Sequence, residues 1–300
     1  MLRRSVLPVL AAATGWSAPT RFDRARLSVL TDEIGSLEAA IAFAQRYQLS
    51  YVELRAYRPR PEAEWRSIRR QLDSEGLRVS FFNSALLKYA LPGTLPVKWE
   101  DFYENLYRAE GLTPEKLFAR REAELEEAIR AAQILGAPAI RTFAFWRTAD
   151  PAALRPQIVD LLAPMAETAT RAGVRLALEN EFATNCGTTE ETVAVLRQVP
   201  ALMLNWDPQN SVALGDRVYP EGRKQIPVAR IANVQLKAEG LIGFGGAPRL
   251  DWPGIFTWLQ KEGYPGRFGL ETHTLRGPEI NVPASHDCLK EMLRLVGETS

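Results

Sequence analysis

Four polar residues each end a short apolar segment in the second half of the chain. They are Glu179 in VRLALEN, Asp207 in ALMLNWD, Gln235 in RIANVQL and Glu271 in RFGLETH. Removing a carboxylate from water is unfavourable unless an opposite charge or hydrogen bonds stabilise it. Carboxylate and amide oxygens are hard ligands that suit Mg²⁺ or Mn²⁺ better than Zn²⁺. If the four side chains converge, their types predict a binding site for a divalent cation, Mn or Mg.

Residues close to these four are candidates for binding a substrate. Lys237 and His273 each lie two positions after a proposed ligand, and therefore on the same face of the strand. A lysine there can neutralise an enolate or bind a carboxylate or phosphate, and a histidine can shuttle a proton near neutral pH. An ordinary packing or rim position would explain each of them equally well. The substrate-binding candidates are Asn210, Lys237, His273, Glu181 and the potential sugar-stacking residue Trp146.

The composition limits the classes of function. The 300 residues carry 37 basic and 36 acidic side chains, a formal net charge of +1, and no basic segment with interleaved aromatic residues. Nucleic acid is therefore not an expected partner. The two cysteines, Cys186 and Cys288, form neither a disulfide framework nor a zinc-ribbon spacing. Two histidines are too few for a multi-zinc hydrolase.

The first residues have the pattern of a targeting segment. MLRR is a short basic region, SVLPVLAAATGW is mostly apolar but too short to cross a bilayer, and WSAP offers small residues for cleavage. We therefore predict a signal peptide over residues 1–18, a linker over 19–26, and a periplasmic or secreted protein. Arg3 and Arg4 resemble a twin-arginine signal, and a cytoplasmic protein with an N-terminal extension is the alternative. No other segment has the apolar length that a membrane span needs.

From residue 27 onward, short strand-like segments alternate with longer helical patterns. Ser36 is a predicted helix N-cap, Pro114 a helix start and Gly136 a helix stop. Eight parallel βα repeats most economically close into a (β/α)8 TIM barrel, an α/β fold in which the C-terminal strand ends meet at one mouth. An open doubly wound sheet is the alternative, but no Gly-rich dinucleotide turn follows the first strand. The predicted strands are 26–34, 50–56, 77–83, 138–145, 174–180, 202–207, 231–237 and 267–272.

A long irregular stretch follows the third predicted strand. Residues 85–112 carry prolines, a glycine and aromatic residues that include Trp99, Tyr103 and Tyr107. Loops of this length in a compact domain are usually functional or disordered. We expect a rim or lid over the barrel mouth, and a decorative insertion is the alternative.

Five segments together resemble the xylose isomerase-like TIM barrels, a family of sugar phosphate isomerases and epimerases. They are TDEIGSLEAAIAFAQRYQLSYVELR, LALENE, NWDPQN, NVQLKAEG and LDWPGIFTWLQKEGYPGRFGLETH. Each segment is weak alone, but their order and spacing are fairly specific for the superfamily, although not for one substrate. The resemblance implies a single barrel domain over residues 27–297.

The resemblance also implies that Glu179, Asp207 and Glu271 occupy metal-binding positions. Gln235 departs from the histidine that many relatives carry, although some hydroxypyruvate isomerase-like and dehydroshikimate dehydratase-like members have glutamine there. Its amide oxygen can still bind a metal and favours Mg²⁺ or Mn²⁺ further. Asn210 replaces a histidine found in many epimerases and would orient the substrate or Asp207. Related barrels often associate, which leaves a homo-oligomer open.

The chemistry that the resemblance implies is proton transfer next to the carbonyl group of a small carbohydrate. The metal would bind the carbonyl and adjacent hydroxyl oxygens and stabilise a developing enediolate, and the catalytic residues Glu179 and Glu271 would remove and return the proton. The expected enzyme is a sugar isomerase or epimerase. A dehydratase on the same scaffold and a non-catalytic exported carbohydrate-binding barrel are the alternatives. A phosphodiesterase would need a histidine-rich three-metal site, which the strand ends do not supply.

Overall fold

The strand-like segments of the sequence form one closed barrel of eight parallel strands. The computed structural model of the chain describes residues 22–298, so the predicted signal peptide over residues 1–18 lies outside the described residues. Each strand pairs with the next, and β8 closes the barrel on β1, where Phe268 lies beside Leu27. The prediction of an α/β TIM barrel is therefore confirmed. The strands are β1 Leu27–Leu30, β2 Tyr51–Ala56, β3 Arg78–Leu86, β4 Ala139–Thr142, β5 Arg175–Glu179, β6 Met203–Trp206, β7 Ile231–Leu236 and β8 Arg267–Leu270.

Helices cover the outside of the barrel, and their ends follow the capping chemistry of the sequence. The Ser36 side chain accepts a hydrogen bond from Ala39 N–H, and Gly136 ends α4 with a φ of 70°. Within residues 22–298, no helix combines the length and the hydropathy that crossing a bilayer requires. The helices are α1 Leu37–Arg46, α2 Glu62–Ser74, α3 Asp101–Ala109, α4 Pro114–Leu135, α5 Pro151–Arg171, α6 Thr189–Gln198, α7 Pro208–Val212, α8 Ala238–Ile242, α9 Trp252–Lys261 and α10 Pro278–Leu295.

Residues 22–26, which fall in the predicted linker, pack against the barrel. Phe22 is buried among the rings of Phe256, Tyr264 and Phe268. These rings lie at the N-terminal ends of the strands, because Tyr264 precedes β8 and Phe268 is its second residue. The chain therefore reaches the barrel at the end opposite the mouth.

The stretch after β3 is only partly irregular. Residues Asp101–Ala109 form α3, which the expectation of a continuous loop over 85–112 misses. The helix is amphipathic, with Tyr103 and Tyr107 buried against the barrel and Phe102 55% exposed. A short helix with aromatic anchors gives a weak periodic signal in the sequence, which explains the difference. Phe102 and Tyr103 line the mouth of the barrel, as expected of a lid.

The inside of the barrel below the mouth is polar. Glu53 is buried there and accepts hydrogen bonds from Ser28 Oγ, Asn83 Nδ2 and Asn233 Nδ2 at 2.8–3.2 Å. Gly269 leaves room for this carboxylate, since a Cβ at that position would lie 1.8 Å from Glu53 Oε1. A hydrogen-bonded floor therefore supports the side chains at the strand ends.

Candidate metal centre and active site

Glu179, Asp207 and Glu271 converge at the C-terminal ends of β5, β6 and β8. A carboxylate oxygen from each lies within 4.8 Å of the others, and all three residues are buried. Asp207 is fixed by its own turn, because its Oδ1 accepts hydrogen bonds from the backbone N–H groups of Gln209 and Asn210 at the start of α7. The structure thus brings together three of the four predicted metal ligands.

Gln235 reaches the same region from β7 through a chain of amides. Its Oε1 accepts a hydrogen bond from Asn205 Nδ2 at 2.7 Å, and its Nε2 donates to Asn83 Oδ1 at 3.2 Å. Asn205 Nδ2 also donates to Glu179 Oε2 at 2.9 Å. A carbonyl oxygen has two lone pairs, so Gln235 Oε1 keeps one acceptor position besides the bond from Asn205. The role of Gln235 as the fourth ligand stays a prediction.

Each of the three carboxylates has a cationic partner. Lys237 is a predicted site residue, whereas no sequence pattern distinguishes Arg141, which lies inside the apolar segment PAIRTFAF. Arg141 is buried under the mouth and also approaches Glu271 Oε1 to 4.0 Å. It therefore lies between the two proposed catalytic acids. The pairs are Arg141 Nη1 with Glu179 Oε2 at 3.0 Å, Lys237 Nζ with Asp207 Oδ2 at 3.0 Å, and Arg55 with Glu271.

These charges give the two proposed catalytic acids different protonation behaviour. Burial raises the pKa of Glu179 to about 7, and Arg141 offsets part of that shift. Burial also opposes ionisation of Glu271, but the charges of Arg55 and Lys237 outweigh it and hold the pKa of Glu271 below its usual range. A carboxyl group that takes up a proton near neutral pH and one that stays ionised form a complementary acid–base pair.

The donor set fits a hard divalent cation. Among residues 22–298, Asp207 Oδ2 and Glu271 Oε2 are buried without a hydrogen-bond donor of acceptable geometry, which is rare in folded proteins. Carboxylates outnumber cations among the side chains in and directly below the mouth. The carboxylates include Glu33, Glu53, Glu179, Glu181, Asp207 and Glu271, and the cations are Arg55, Lys88, Arg141 and Lys237.

A cavity of about 370 Å³ opens above the carboxylates, a size that suits a small polar ligand. Tyr57, Phe102 and Tyr103 give it aromatic surfaces that match the apolar faces of a sugar ring. Asn210 is buried and accepts a hydrogen bond at its Oδ1 from Lys237 Nζ at 2.6 Å. The predicted site residues that line the cavity are Glu181, Lys237, Glu271 and His273.

His273 faces the cavity from the loop after β8. Its backbone N–H donates a hydrogen bond to Glu33 Oε2 at 2.9 Å. Burial and the nearby charge of Lys237 lower the pKa of the imidazole to about 4, so the ring is neutral at pH 7 and its position does not support the expected titration near neutrality. Glu33, Glu271 and His273 form a second group with ligand atoms within 4.8 Å, but Arg55 already supplies a positive charge 3.7 Å from Glu33 Oε1.

Trp146 does not line the cavity. Its side chain is buried, packs against the ring of Tyr103 and donates a hydrogen bond from Nε1 to Glu104 Oε1 at 2.5 Å. Both partners belong to α3, so Trp146 anchors the lid helix to the barrel. Its position therefore does not support the predicted stacking on a sugar. The sequence could not show this, because an aromatic residue at a strand end carries no information about which side of the lid it will contact.

Lys88 and Glu100 join the lid to the mouth, and the sequence offers no pattern that singles out either residue. Lys88 Nζ lies 2.6 Å from Glu100 Oε1 and 3.5 Å from Glu181 Oε2. The rings of Tyr103 and Phe143 flank the ammonium group, with centroids at 4.7 Å and 4.3 Å. Lys88 is therefore a buried cation that faces the cavity under a carboxylate from the lid.

Left-handed backbone conformations cluster around the mouth. Leu87, Phe145, His273 and Leu275 have φ between 54° and 62°, although none of them is glycine. They follow β3, β4 and β8 at the end of the barrel where the carboxylates converge. Such conformations are strained for residues with a side chain and concentrate at functional sites. The backbone therefore marks the same end of the barrel as the charges do.

Solved structures share this architecture. The IolI protein with a bound zinc atom superposes with a TM-score of 0.67 at 15% identity, covering 91% of this chain and 98% of that chain. D-psicose 3-epimerase from Clostridium cellulolyticum H10, solved with D-tagatose, gives 0.67 at 14% identity, with 91% and 99% covered. A xylose isomerase-like TIM barrel protein from Mycobacterium smegmatis, in complex with magnesium, gives 0.59 at 15% identity, with 92% and 99% covered. At these identities the likeness shows the fold alone.

The family relationship comes from the sequence. No curated protein sequence matches the chain. The sequence profile described as xylose isomerase-like TIM barrel matches residues 41–292, which contain β2 to β8 and all four proposed metal ligands. The chain therefore belongs to the xylose isomerase-like TIM barrel family.

Proposed function

We propose that the protein is a divalent-metal-dependent isomerase or epimerase that acts on a keto-sugar or a related polyhydroxy carbonyl compound. The observation that carries the proposal is the convergence of Glu179, Asp207 and Glu271 within 4.8 Å beneath a sugar-sized cavity. Structural neighbours named as epimerases, and neighbours with bound zinc or magnesium, support it at the level of the fold.

Glu179, Asp207 and Glu271 would hold the metal, with the amide oxygen of Gln235 as the fourth protein ligand. A bound Mn²⁺ or Mg²⁺ supplies a Lewis acid that polarises the carbonyl group of the substrate and makes the adjacent C–H group more acidic. The backbone of α7 holds Asp207, and Asn205 holds Gln235. The chain thus orients these ligands with hydrogen bonds that do not depend on the metal.

Glu179 and Glu271 would move the proton. One carboxylate removes the hydrogen from the carbon next to the carbonyl group. The other gives a proton back, either to the opposite face of that carbon or to the neighbouring carbon. Arg141 lies 3.0 Å from Glu179 Oε2 and 4.0 Å from Glu271 Oε1, which positions both acids relative to one substrate. The lid residues Phe102 and Tyr103 would cover the reacting carbons and limit access of water.

Hydrogen exchange with solvent tests the proposal. The full chain is freed of metal with a chelator and incubated in D₂O with a panel of unmodified ketoses, with and without Mn²⁺ or Mg²⁺. We expect NMR to show deuterium at the carbon next to the carbonyl group, together with a new sugar, only after metal is restored. Release of water to give a conjugated, ultraviolet-absorbing product would assign a dehydratase instead. Sugar binding with no exchange across the panel would assign a binding protein.

A further inference from the structure

The cations inside the mouth are already neutralised by carboxylates of the same chain. Each lies within 3.0 Å of a carboxylate oxygen, and two of the partners, Asp32 and Glu100, come from the rim. An anionic ligand entering the cavity would compete with these carboxylates for the cations and would lie beside their negative charge, which is unfavourable in a buried site. The pairs are Arg55 with Asp32, Lys88 with Glu100, Arg141 with Glu179, and Lys237 with Asp207.

The carboxylates on the cavity wall lead to the same conclusion. Glu181 and Glu271 line the cavity, together with the rim residues Asp32 and Glu100. A ligand phosphate or carboxylate would add negative charge beside these groups, whereas an uncharged ligand would not.

Glu100 neutralises Lys88, one of the cations that line the cavity. Lys88 is buried and faces the cavity, and its Nζ lies 2.6 Å from Glu100 Oε1 but 3.5 Å from Glu181 Oε2. Glu100 immediately precedes α3 and is half-buried at the rim. Without its carboxylate, the Lys88 ammonium group would face the ligand with only the longer contact to Glu181.

Arg276 is a further cation on the cavity wall. It is exposed, and its guanidinium group lies over the ring of Phe244, 5.5 Å from the centroid. Its attraction for a ligand phosphate is therefore screened by water and salt. The rim also carries Asp32, whose carboxylate is partly exposed and opposes anions at the same entrance.

We propose that the mouth selects an uncharged polyhydroxy carbonyl compound over its phosphorylated or carboxylated counterparts, and that Glu100 is the specificity-determining residue because it neutralises Lys88. The inference rests on the proposed function for the reaction, but it concerns ligand charge, which binding measurements test without turnover. The matched variants are Glu100→Gln and Glu110→Gln. Glu110 lies just after α3 and pairs with Arg58 outside the cavity.

The test is calorimetric titration of the Mn²⁺-loaded full chain with unmodified ketoses and their phosphates, for example D-fructose and D-fructose 6-phosphate. Wild type and Glu110→Gln should each bind the neutral ketose at least ~10-fold more tightly than its phosphate. This ratio is about the effect of one unfavourable charge contact. Glu100→Gln should bind the phosphate at least ~10-fold more tightly than wild type does, and the gain should shrink as salt rises. The double variant Lys88→Met/Glu100→Gln should lose the gain.

Two results would overturn the proposal. One is that wild type binds a ketose phosphate at least as tightly as the free ketose. Failure of wild type to bind any neutral ketose of the panel counts as this result. The other is a correctly folded Glu100→Gln variant whose phosphate affinity does not rise. The proposed function fails separately, because neutral-sugar binding without hydrogen exchange would refute the isomerase and leave the charge preference standing.

Discussion

At the scale of single residues, the site contains two glutamates, Glu179 and Glu271, in different electrostatic surroundings. Glu179 has one close cation, Arg141, and its pKa is raised by burial, whereas Glu271 lies among Arg55, Lys237 and Arg141 and stays ionised. A base and an acid with the same chemical structure are distinguished here only by their neighbours. Arg141 lies close to both carboxylates, so its charge affects the ionisation of both.

We expect Glu179→Gln and Glu271→Gln each to lower kcat by about 10²–10⁴-fold, because each removes one half of the proton transfer. Glu110→Gln, a lid substitution outside the cavity, should keep wild-type activity. Steady-state kinetics on the sugar identified by hydrogen exchange measures the effect, with circular dichroism as the check on folding. Activity close to wild type in either glutamine variant would refute the assignment.

Gln235 offers a test of metal preference. Gln235→His places an imidazole where the structure has an amide, and imidazole favours Zn²⁺ more than an amide oxygen does. After dialysis against equal concentrations of Mn²⁺ and Zn²⁺, we expect the variant to hold a zinc-to-manganese ratio at least ~10-fold above that of wild type, as measured by elemental analysis. An unchanged ratio would show that residue 235 does not contact the ion.

At the scale of structural elements, neighbouring strands carry polar side chains at alternate positions toward the barrel interior. β7 presents Asn233 and Gln235, and Lys237 follows it in the same phase. Asn233 and Asn205 join β7 and β6 to the floor through hydrogen bonds. The proposed metal ligands therefore lie on a layer of hydrogen-bonded amides, and the strands fix both their depth in the barrel and the direction in which they point.

Gly269 tests how closely β8 approaches this floor. In Gly269→Ala the new methyl group would meet Glu53 Oε1, so the carboxylate must leave its hydrogen-bond donors. We expect a loss of roughly 1–3 kcal/mol in the free energy of unfolding, measured with urea. The loss should be smaller in a Glu53→Ala background, since the two residues collide. Equal effects in the two backgrounds would contradict this packing.

The same floor predicts a pH effect. Burial raises the pKa of Glu53 to about 7, against about 4.3 in an unfolded chain. Between these values the unfolded chain releases its proton while the folded protein keeps it, so the stability from this group is present at low pH and is lost as pH rises to about 7. Relative to wild type, Glu53→Gln should gain about 2–3 kcal/mol in unfolding free energy from pH 5 to pH 8. A pH-independent difference would contradict the raised pKa.

The elements themselves are largely predictable from sequence, because strand segments, caps and turns are local. Ser36 and Gly136 act as predicted, and the acids at strand ends meet because a parallel barrel brings those ends together. Arg141 and Lys88 are different, since their importance comes from partners in other strands and in the lid. The alternation through Asn233, Gln235 and Lys237 is a signal in the sequence that identifies an inward polar face.

At the scale of the whole molecule, the two ends of the barrel differ in chemistry. Phe22 and the rings around it pack between β8 and α9 toward the N-terminal ends of the strands, while the buried carboxylates of the proposed site converge at the opposite end. The chain as a whole carries a formal charge of only +1, so the negative excess at the mouth is a local property. A cation bound there would offset negative charge on Glu179, Asp207 and Glu271 and so stabilise the ends of β5, β6 and β8.

The position of bound Mn²⁺ in a crystal, located by its anomalous scattering, tests this account most directly. We predict one strong peak with oxygen atoms of Glu179, Asp207, Glu271 and Gln235 at about 2.0–2.3 Å. A peak held by Glu33, Glu271 and His273 instead, or no peak at the mouth, would contradict the account.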